Sequence, residues 1–506
     1  MNLILVGFCV AKACVAKACV AKACVAKAQK PMGLKGGATG VKAQFKSLFG
    51  GAFRSFDQLQ SARDHVFNGI VDDGESPRSR TAVLLDGNVL MMSVSEMCNS
   101  MNDFTEIVFN SVRDAFRAAE FVIVVFDEPT AMPNAKREEQ AARDAHRAAR
   151  TVTTSDDIAV RLAIPDGFDA GQLDLFDDVH ALKSDRNCRS RLYDETIKRV
   201  LERMVPLFEL WDHKGRGRCE LVIDGSDPRG CARAADEPRA PAIFGTNDVL
   251  ASKFFRAVPI GEGDIKLIAL ENRIRLLKSG GSDGTTAVPP QLAKLSLVMT
   301  STVDTDSFMT MVLDVAKRRV DPYTTALHSL FCMRELASKR QREEDRFARA
   351  TYLCVDVSLL EGHLQTHVWS QAIGRLVPTP TQMLNAMLAL SASAAMCGCD
   401  FTRTGLKGSR FDHFLESIPE FVSTEPTALE SFASALSNDA TVAKFACDGL
   451  YKVCVAASKH MLTKKRYKSQ ASNVLAVSET MLLRSIWTTG YWSQVERPSD
   501  NSAGFG

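Results

Sequence analysis

A chain of 506 residues with 45% hydrophobic and 24% charged residues is long enough to bury a large core and has the composition of a globular protein. Its formal net charge of +2 excludes a globally basic nucleic-acid binder, so any such contact must come from local basic surfaces. No uninterrupted apolar segment reaches about 18 residues, which argues against a membrane span.

The chain begins with a repeat that suits neither a helix nor a strand. Residues 9–28 contain the pentapeptide CVAKA four times. A five-residue step spreads the lysines around a helix axis and alternates their faces in a strand, so we interpret residues 1–31 as a low-complexity extension. Because the segment is basic and the first acid of the chain is Asp57, an organelle-targeting peptide is an alternative, although arginine is scarce there.

Fourteen cysteines are present, but four of them belong to the repeat. Cys397 and Cys399 form the one close pair after the repeat, and no second pair of ligands stands at zinc spacing. We therefore expect reduced thiols in an intracellular protein, either nuclear or cytoplasmic.

From residue 32 onwards, short apolar runs that end in an acid alternate with helical patterns. Such runs are typical of strands buried on both faces. Helical patterns fill intervals that include 104–119, 192–209 and 308–319. This alternation predicts an α/β fold with a mostly parallel central sheet flanked by helices, in which sites gather at the carboxyl ends of the strands. The runs are AVLLDGN, FVIVVFDEP, ELVIDGS, LSLVMTSTVDTDSF and TYLCVDVS, with acids at Asp86, Asp127, Asp224, Asp304 and Asp306, and Asp356.

The main domain is predicted to span residues 32–375. Two stretches within it, 151–190 and 225–255, are interpreted as inserted loops because they are rich in Asp or in Pro, Gly, Ala and charge. A helix-turn-helix segment is predicted at 376–425, where Thr379 is a candidate N-cap followed by a proline at the first helical position. Residues 426–506 are helical in pattern and form a C-terminal extension.

Residues 259–268, PIGEGDIKLI, place two acids one residue apart. Acids and glycines are typical of a helix start. The same two side chains, Glu262 and Asp264, are also suited to bind a metal ion.

Taken in order, these stretches resemble the superfamily of 5′ nucleases, which includes flap endonucleases, Rad2/XPG repair nucleases and 5′-to-3′ exoribonucleases with a PIN-like nuclease domain. The resemblance begins at Met32 and Gly33 and covers about residues 32–420. GEGDIKLI is closer to the exoribonuclease signature, Gly-Glu-Gly-Glu followed by His-Lys, whereas CGCDFTRTGLKG is closer to the flap endonuclease segment, with its glycines one residue wider apart. All seven acidic positions of the family pattern hold a carboxylate here: Asp86, Asp127, Glu262, Asp264, Asp304, Asp306 and Asp400.

The resemblance implies a catalytic centre with two divalent cations, Mg²⁺ or Mn²⁺. Oxygen-only ligands suit these hard ions. Asp304, Asp306 and Asp400 are implied ligands of the second ion, and Lys136 and Arg143 are implied contacts of the scissile phosphate. Further nucleic-acid contacts are implied for Gly33 and for the glycine turn with Gly405, Lys407 and Gly408. The implied ligands of the first ion are Asp86, Asp127, Glu262 and Asp264.

A basic stripe follows Asp127. On a helix, Lys136, Arg143, Arg147 and Arg150 fall within about 60° of one face. This arrangement favours contact with a phosphate backbone, and the alternative is a solvated charged face.

The resemblance implies a nuclease that acts on DNA with a flap or a free 5′ end. One alternative is a 5′-to-3′ exoribonuclease or mRNA-degrading RNase, and another is a catalytically silent nucleic-acid-binding or structural relative. The silent relative is disfavoured because none of the seven acids is missing. The C-terminal tail shows no sliding-clamp motif. Asp224 and Asp356 match no family position and are interpreted as ordinary strand-end acids.

Overall fold

The computed structural model describes twelve stretches of the chain. The predicted segments 1–31, 376–425 and 426–506 lie outside them. The described residues are 51–68, 76–92, 101–126, 186–213, 220–223, 242–244, 263–278, 293–303, 307–308, 311, 327–335 and 351–363.

Strands and helices alternate along most of the described chain. The strands are β1 (Arg54–Phe56), β2 (Thr81–Asp86), β3 (Phe121–Val125), β4 (Glu220–Ile223), β5 (Ala242–Phe244), β6 (Leu297–Thr302), β7 (His328–Glu335) and β8 (Thr351–Asp356). The helices are α1 (Leu59–Phe67), α2 (Gly87–Met92), α3 (Met101–Ala118), α4 (Arg186–His213), α5 (Gly263–Lys278) and α6 (Leu360–His363), and a 3-10 turn (Val357–Leu359) precedes α6.

All the described strands belong to one sheet, in the order β1-β8-β7-β6-β2-β3-β4-β5. The five central strands, from β7 to β4, run parallel to one another. β8, β1 and β5 pair antiparallel at the two sides. The α/β prediction is therefore confirmed, but the prediction of a mostly parallel sheet is wrong, because the sheet is mixed. A continuous apolar run indicates a strand buried on both faces, which is common in parallel sheets, but it does not fix the direction of an individual strand, as the antiparallel β8 shows.

Each apolar run that ends in an acid contains a strand, namely β2, β3, β4, β6 or β8. The predicted helical interval 192–209 falls in α4, and 104–119 falls in α3 except for its last residue, whereas most of 308–319 lies outside the described residues. The sequence pattern did not identify β1, β5 or β7. β5 and the first residues of α4 lie inside the two stretches interpreted as inserted loops.

Helices cover both faces of the sheet. Val83 and Leu85 of β2 point into a large apolar cluster that α1, α3 and α4 complete. Ala82 and Leu84 point the other way, into a smaller cluster completed by α5. This alternation follows from the two-residue period of a strand, and it explains why β2 is apolar at consecutive positions. Among the described helices, none is both long enough and apolar enough to cross a membrane.

Gly87 follows β2 at a point where a side chain has no room. A Cβ atom built on Gly87 would stand 2.5 Å from Cζ of Phe126. The ring of Phe126 is itself 3% exposed and belongs to the larger apolar cluster, so it has little freedom to move away. The glycine in the sequence Asp-Gly-Asn therefore permits close packing between the ends of β2 and β3.

We expect Gly87→Ala to lower the free energy of unfolding by about 1–3 kcal/mol, the usual cost of overpacking a core. Urea denaturation of the two proteins measures the effect. Gly362→Ala is the matched control, because nothing lies within 4 Å of a Cβ at that helical position, and it should be neutral or slightly stabilising. Equal effects of the two substitutions would contradict the packing argument.

Candidate functional site

Asp86 lies at the carboxyl end of β2 and is 5% exposed. Its Oδ1 accepts a hydrogen bond from the backbone N–H of Val89 at 3.0 Å. This contact caps the first turn of α2. Its Oδ2 accepts a hydrogen bond from the hydroxyl of Thr302 at 3.3 Å. The carboxylate is thus fixed in orientation by the first turn of α2 and by the end of β6, of which Thr302 is the last residue.

The end of β3 lies beside Asp86. Asp86 and Val125 are partners in the parallel register of β2 and β3. Phe126 follows at once, with its ring against Gly87. The predicted acid Asp127 is the next residue in the chain, outside the described residues.

Helix α5 begins at Gly263, within the motif GEGDIKLI. The helix-start interpretation of this motif is therefore confirmed. Lys266 in the first turn is 2% exposed, and its Nζ donates a hydrogen bond of 2.9 Å to the carbonyl oxygen of Phe126. The start of α5, which includes Asp264, is in this way attached to the end of β3.

Three strand ends and one helix start thus meet at the carboxyl edge of the parallel strands. Asp86 closes β2, and Asp127 follows β3 by two residues. Glu262 immediately precedes α5, and Asp304 follows β6 by two residues. The structure brings together the described elements that end or begin at or next to these predicted acids, as expected for sites in parallel sheets.

The metal centre itself remains a prediction. Within the described residues, no group of three or more His, Cys, Asp and Glu side chains is placed to hold a metal ion. Among the seven acids, Asp86 has a described side chain, and Asp264 is described in its backbone. The remaining predicted site residues lie outside the described residues: Gly33, Asp127, Lys136, Arg143, Arg147, Arg150, Glu262, Asp304, Asp306, Asp400, Gly405, Lys407 and Gly408.

One observation at this edge fits a cation, and a second fits a hydrogen-bond acceptor such as a substrate oxygen. The Asp86 carboxylate offers hard oxygen atoms, the ligands that Mg²⁺ prefers. Two residues further along, the side-chain nitrogen of Asn88 is buried and has no hydrogen-bond partner within the described part of the chain. A buried amide N–H is a hydrogen-bond donor that ordinarily has an acceptor, and a phosphate oxygen of a substrate would supply one.

Sequence reasoning assigned no role to Lys266 or Thr302. A signal for Lys266 was present, because Lys266, Leu270 and Ile274 recur every four residues and so share one helix face. No local signal marks Thr302, since its contact with Asp86 joins residues 216 positions apart.

Asp356 lies at the opposite edge of the sheet, because β8 runs antiparallel to β7. Its Oδ2 is 3.2 Å from Nδ1 of His328, the first residue of β7. The hydrogen bond raises the pKa of His328 above its usual value, against the opposing effect of partial burial. This position agrees with the interpretation of Asp356 as an acid outside the site.

Comparison with known proteins found no family model that matches the chain and no significantly similar curated protein. The 5′ nuclease superfamily accordingly stays a prediction from the order of the motifs. The described geometry adds the positions of the strand ends and of α5 around Asp86.

The His328–Asp356 pair predicts a pH-dependent contribution to stability. A histidine whose pKa is raised in the folded state stabilises fully below its unfolded pKa, about 6.5, and this contribution is lost as the pH rises through the raised value. We expect Asp356→Asn to destabilise the protein more at about pH 5.5 than at about pH 8.5. Urea denaturation at both pH values measures this difference.

Asp114→Asn provides the control, because Asp114 pairs with Arg117 on α3 at 2.9 Å and involves no histidine. Its effect should be similar at the two pH values. If Asp356→Asn behaved in the same way as this control, the role of His328 would be refuted.

Proposed function

We propose that the protein is a divalent-metal-dependent 5′ nuclease that hydrolyses phosphodiester bonds in DNA with a flap or a free 5′ end. The convergence of the ends of β2, β3 and β6 with the start of α5 carries the proposal. Each of these four points lies within two residues of a predicted acid. If acids stood at strand ends by chance, their strands would not need to be neighbours in the sheet. Acids that share one catalytic site do require neighbouring strands.

The chain would hold the metal ions through its carboxylates. Asp86, Asp127, Glu262 and Asp264 are the proposed ligands of one ion, and Asp304, Asp306 and Asp400 those of the other. When bound, a pair of such ions neutralises the charge of a phosphodiester and activates water. Both oxygens of Asp86 already accept a hydrogen bond, which fixes the carboxylate while leaving lone pairs for a further partner.

The proposed substrate contacts are basic and glycine-rich. Lys136, Arg143, Arg147 and Arg150 would bind phosphates next to the acids, because a cationic stripe attracts a polyanion. Gly33 and the turn with Gly405, Lys407 and Gly408 would allow close approach of the nucleic-acid backbone.

RNA is the alternative substrate, with the same chemistry. The motif GEGDIKLI favours it, because this motif is closer to the exoribonuclease signature. A catalytically silent relative that binds nucleic acid is the alternative from another functional class.

Cleavage assays on the purified full chain separate these functions. The substrates are labelled flap DNA, blunt duplex DNA and 5′-phosphorylated RNA, each with Mg²⁺, with Mn²⁺ or with EDTA. We expect cleavage of the flap DNA that depends on the metal and stops in EDTA. Cleavage of RNA alone would establish the RNA alternative. A protein that is inert on every substrate with both metals would contradict nuclease function.

Asp306→Ala tests the proposed second metal position. Hydrolysis should fall by orders of magnitude while binding of the uncleaved flap DNA is largely retained, because the acid would hold a metal ion and not the substrate itself. Binding is measured in EDTA, and hydrolysis in Mg²⁺. Asp356→Ala is the matched control at the opposite edge of the sheet and should keep its activity. A parallel loss of binding and hydrolysis would assign Asp306 to folding.

A further inference from the structure

A buried lysine stands at the end of α5 that lies nearest the predicted acids. Lys266 is 2% exposed, and its Nζ donates a hydrogen bond to the carbonyl oxygen of Phe126. Removing an ammonium group from water is unfavourable unless hydrogen bonds and opposite charge compensate. A carbonyl supplies a dipole but not a full negative charge. A carboxylate close to the ammonium group would lower this cost further.

The packing of α5 on the sheet indicates which described carboxylate lies level with Lys266. Residues four apart share one face of a helix, and residues two apart share one face of a strand. Four helical residues rise about 6 Å and two strand residues about 6.6 Å. Every fourth residue of the helix therefore stays level with every second residue of the strand. In the apolar cluster under α5, Leu270 and Ile274 pack with Ala82 and Leu84. The residues that stay level in this way are Ile274, Leu270 and Lys266 on the helix and Ala82, Leu84 and Asp86 on the strand.

Contacts along α5 fix its direction. At its carboxyl end, Lys278 donates a hydrogen bond to the carbonyl oxygen of Leu295, which lies just before β6. Further towards the start of the helix, Glu271 accepts a hydrogen bond of 3.5 Å from the hydroxyl of Thr300. Thr302, two residues beyond Thr300 on the same face of β6, donates to Asp86. The helix thus runs opposite to the strands, and its first turn lies at the edge that contains Asp86.

Charge on the neighbouring strands is sparse. Within β2 and β3, the described strands against which the first turn of α5 packs, Asp86 is the one charged residue. A buried anion and a buried cation at the same edge each lower the cost of burying the other.

We infer that Lys266 is a positioning residue of the carboxylate site. Its ammonium group offsets the negative charge of Asp86 and of the other predicted acids of the site. Its hydrogen bond holds the start of α5 against the end of β3. The role of the other acids rests on the proposed nuclease function. The relation between Lys266 and Asp86 stands on described residues alone.

A double-mutant cycle tests the inference in buffer with EDTA. The proteins are wild type, Lys266→Met, Asp86→Asn and the double variant, and the measured quantity is Tm. Lys266→Met should lower Tm in the wild-type background, and this loss should fall by more than half in the Asp86→Asn background. Lys266→Arg should recover part of the loss, because the charge is kept. An equal loss in both backgrounds would overturn the inference.

Lys278→Met is the matched control. It removes the same kind of lysine-to-carbonyl hydrogen bond from the other end of α5, and its effect on Tm should be the same with Asp86 or with asparagine. If Lys266→Met fails to fold, the double variant decides the question. Folding of the double variant supports the inference, and failure of both variants overturns it.

A metal titration separates this inference from the proposed function. Mg²⁺ and Mn²⁺ should raise the Tm of wild type, and the absence of any rise would refute the metal-dependent nuclease while the cycle in EDTA still decides the role of Lys266. Lys266→Met should gain more from saturating Mg²⁺ than wild type does, because the ion replaces a missing positive charge. An equal or smaller gain would contradict the charge-balancing role.

Discussion

Phe126 is the residue through which the carboxyl edge of the sheet is held together. Its ring packs on Gly87 and belongs to the apolar cluster on the α3 and α4 side, where the ring of Tyr193 lies 6.1 Å away. Its carbonyl oxygen accepts the hydrogen bond from Lys266 on the α5 side. One residue thus links β2, β3 and helices on both faces, and the positions of Asp86 and of the neighbouring chain segments depend on it.

The two faces of the sheet are stabilised differently. The face under α3 and α4 is a broad apolar cluster with several aromatic rings. The face under α5 is smaller and contains buried charge: Glu271 pairs with Arg275 at 3.2 Å, and both side chains form a hydrogen bond with Ser329. A shift of α5 by one turn would keep this ion pair, because both residues lie on the helix, but it would break their hydrogen bonds to Ser329 on β7 and leave polar groups without those partners in the core. The polar contacts therefore specify the register of the helix more sharply than apolar packing does. That register places Lys266 beside the end of β3.

Local sequence patterns predicted much of the fold. The apolar runs located five strands, the helical intervals located α3 and α4, and the GEGD segment located the start of α5. The pattern missed β1 and β5, which are three residues long, and it missed β7. It also predicted the wrong sheet type, because the direction of β8 depends on how the chain returns after β7. An apolar run shows that a strand is buried, and burial alone does not determine the direction in which that strand pairs.

The sequence by itself determined which acids end buried strands and in what order they follow one another, because a short apolar run bounded by polar residues reports burial locally. Only the tertiary structure decided that Lys266 meets Phe126 and that Thr302 meets Asp86. These contacts join residues 140 and 216 positions apart. They form because the strand order places β3 and β6 on the two sides of β2 and because packing sets the register of α5. Neither the strand order nor this register can be read from the local periodicity of the sequence.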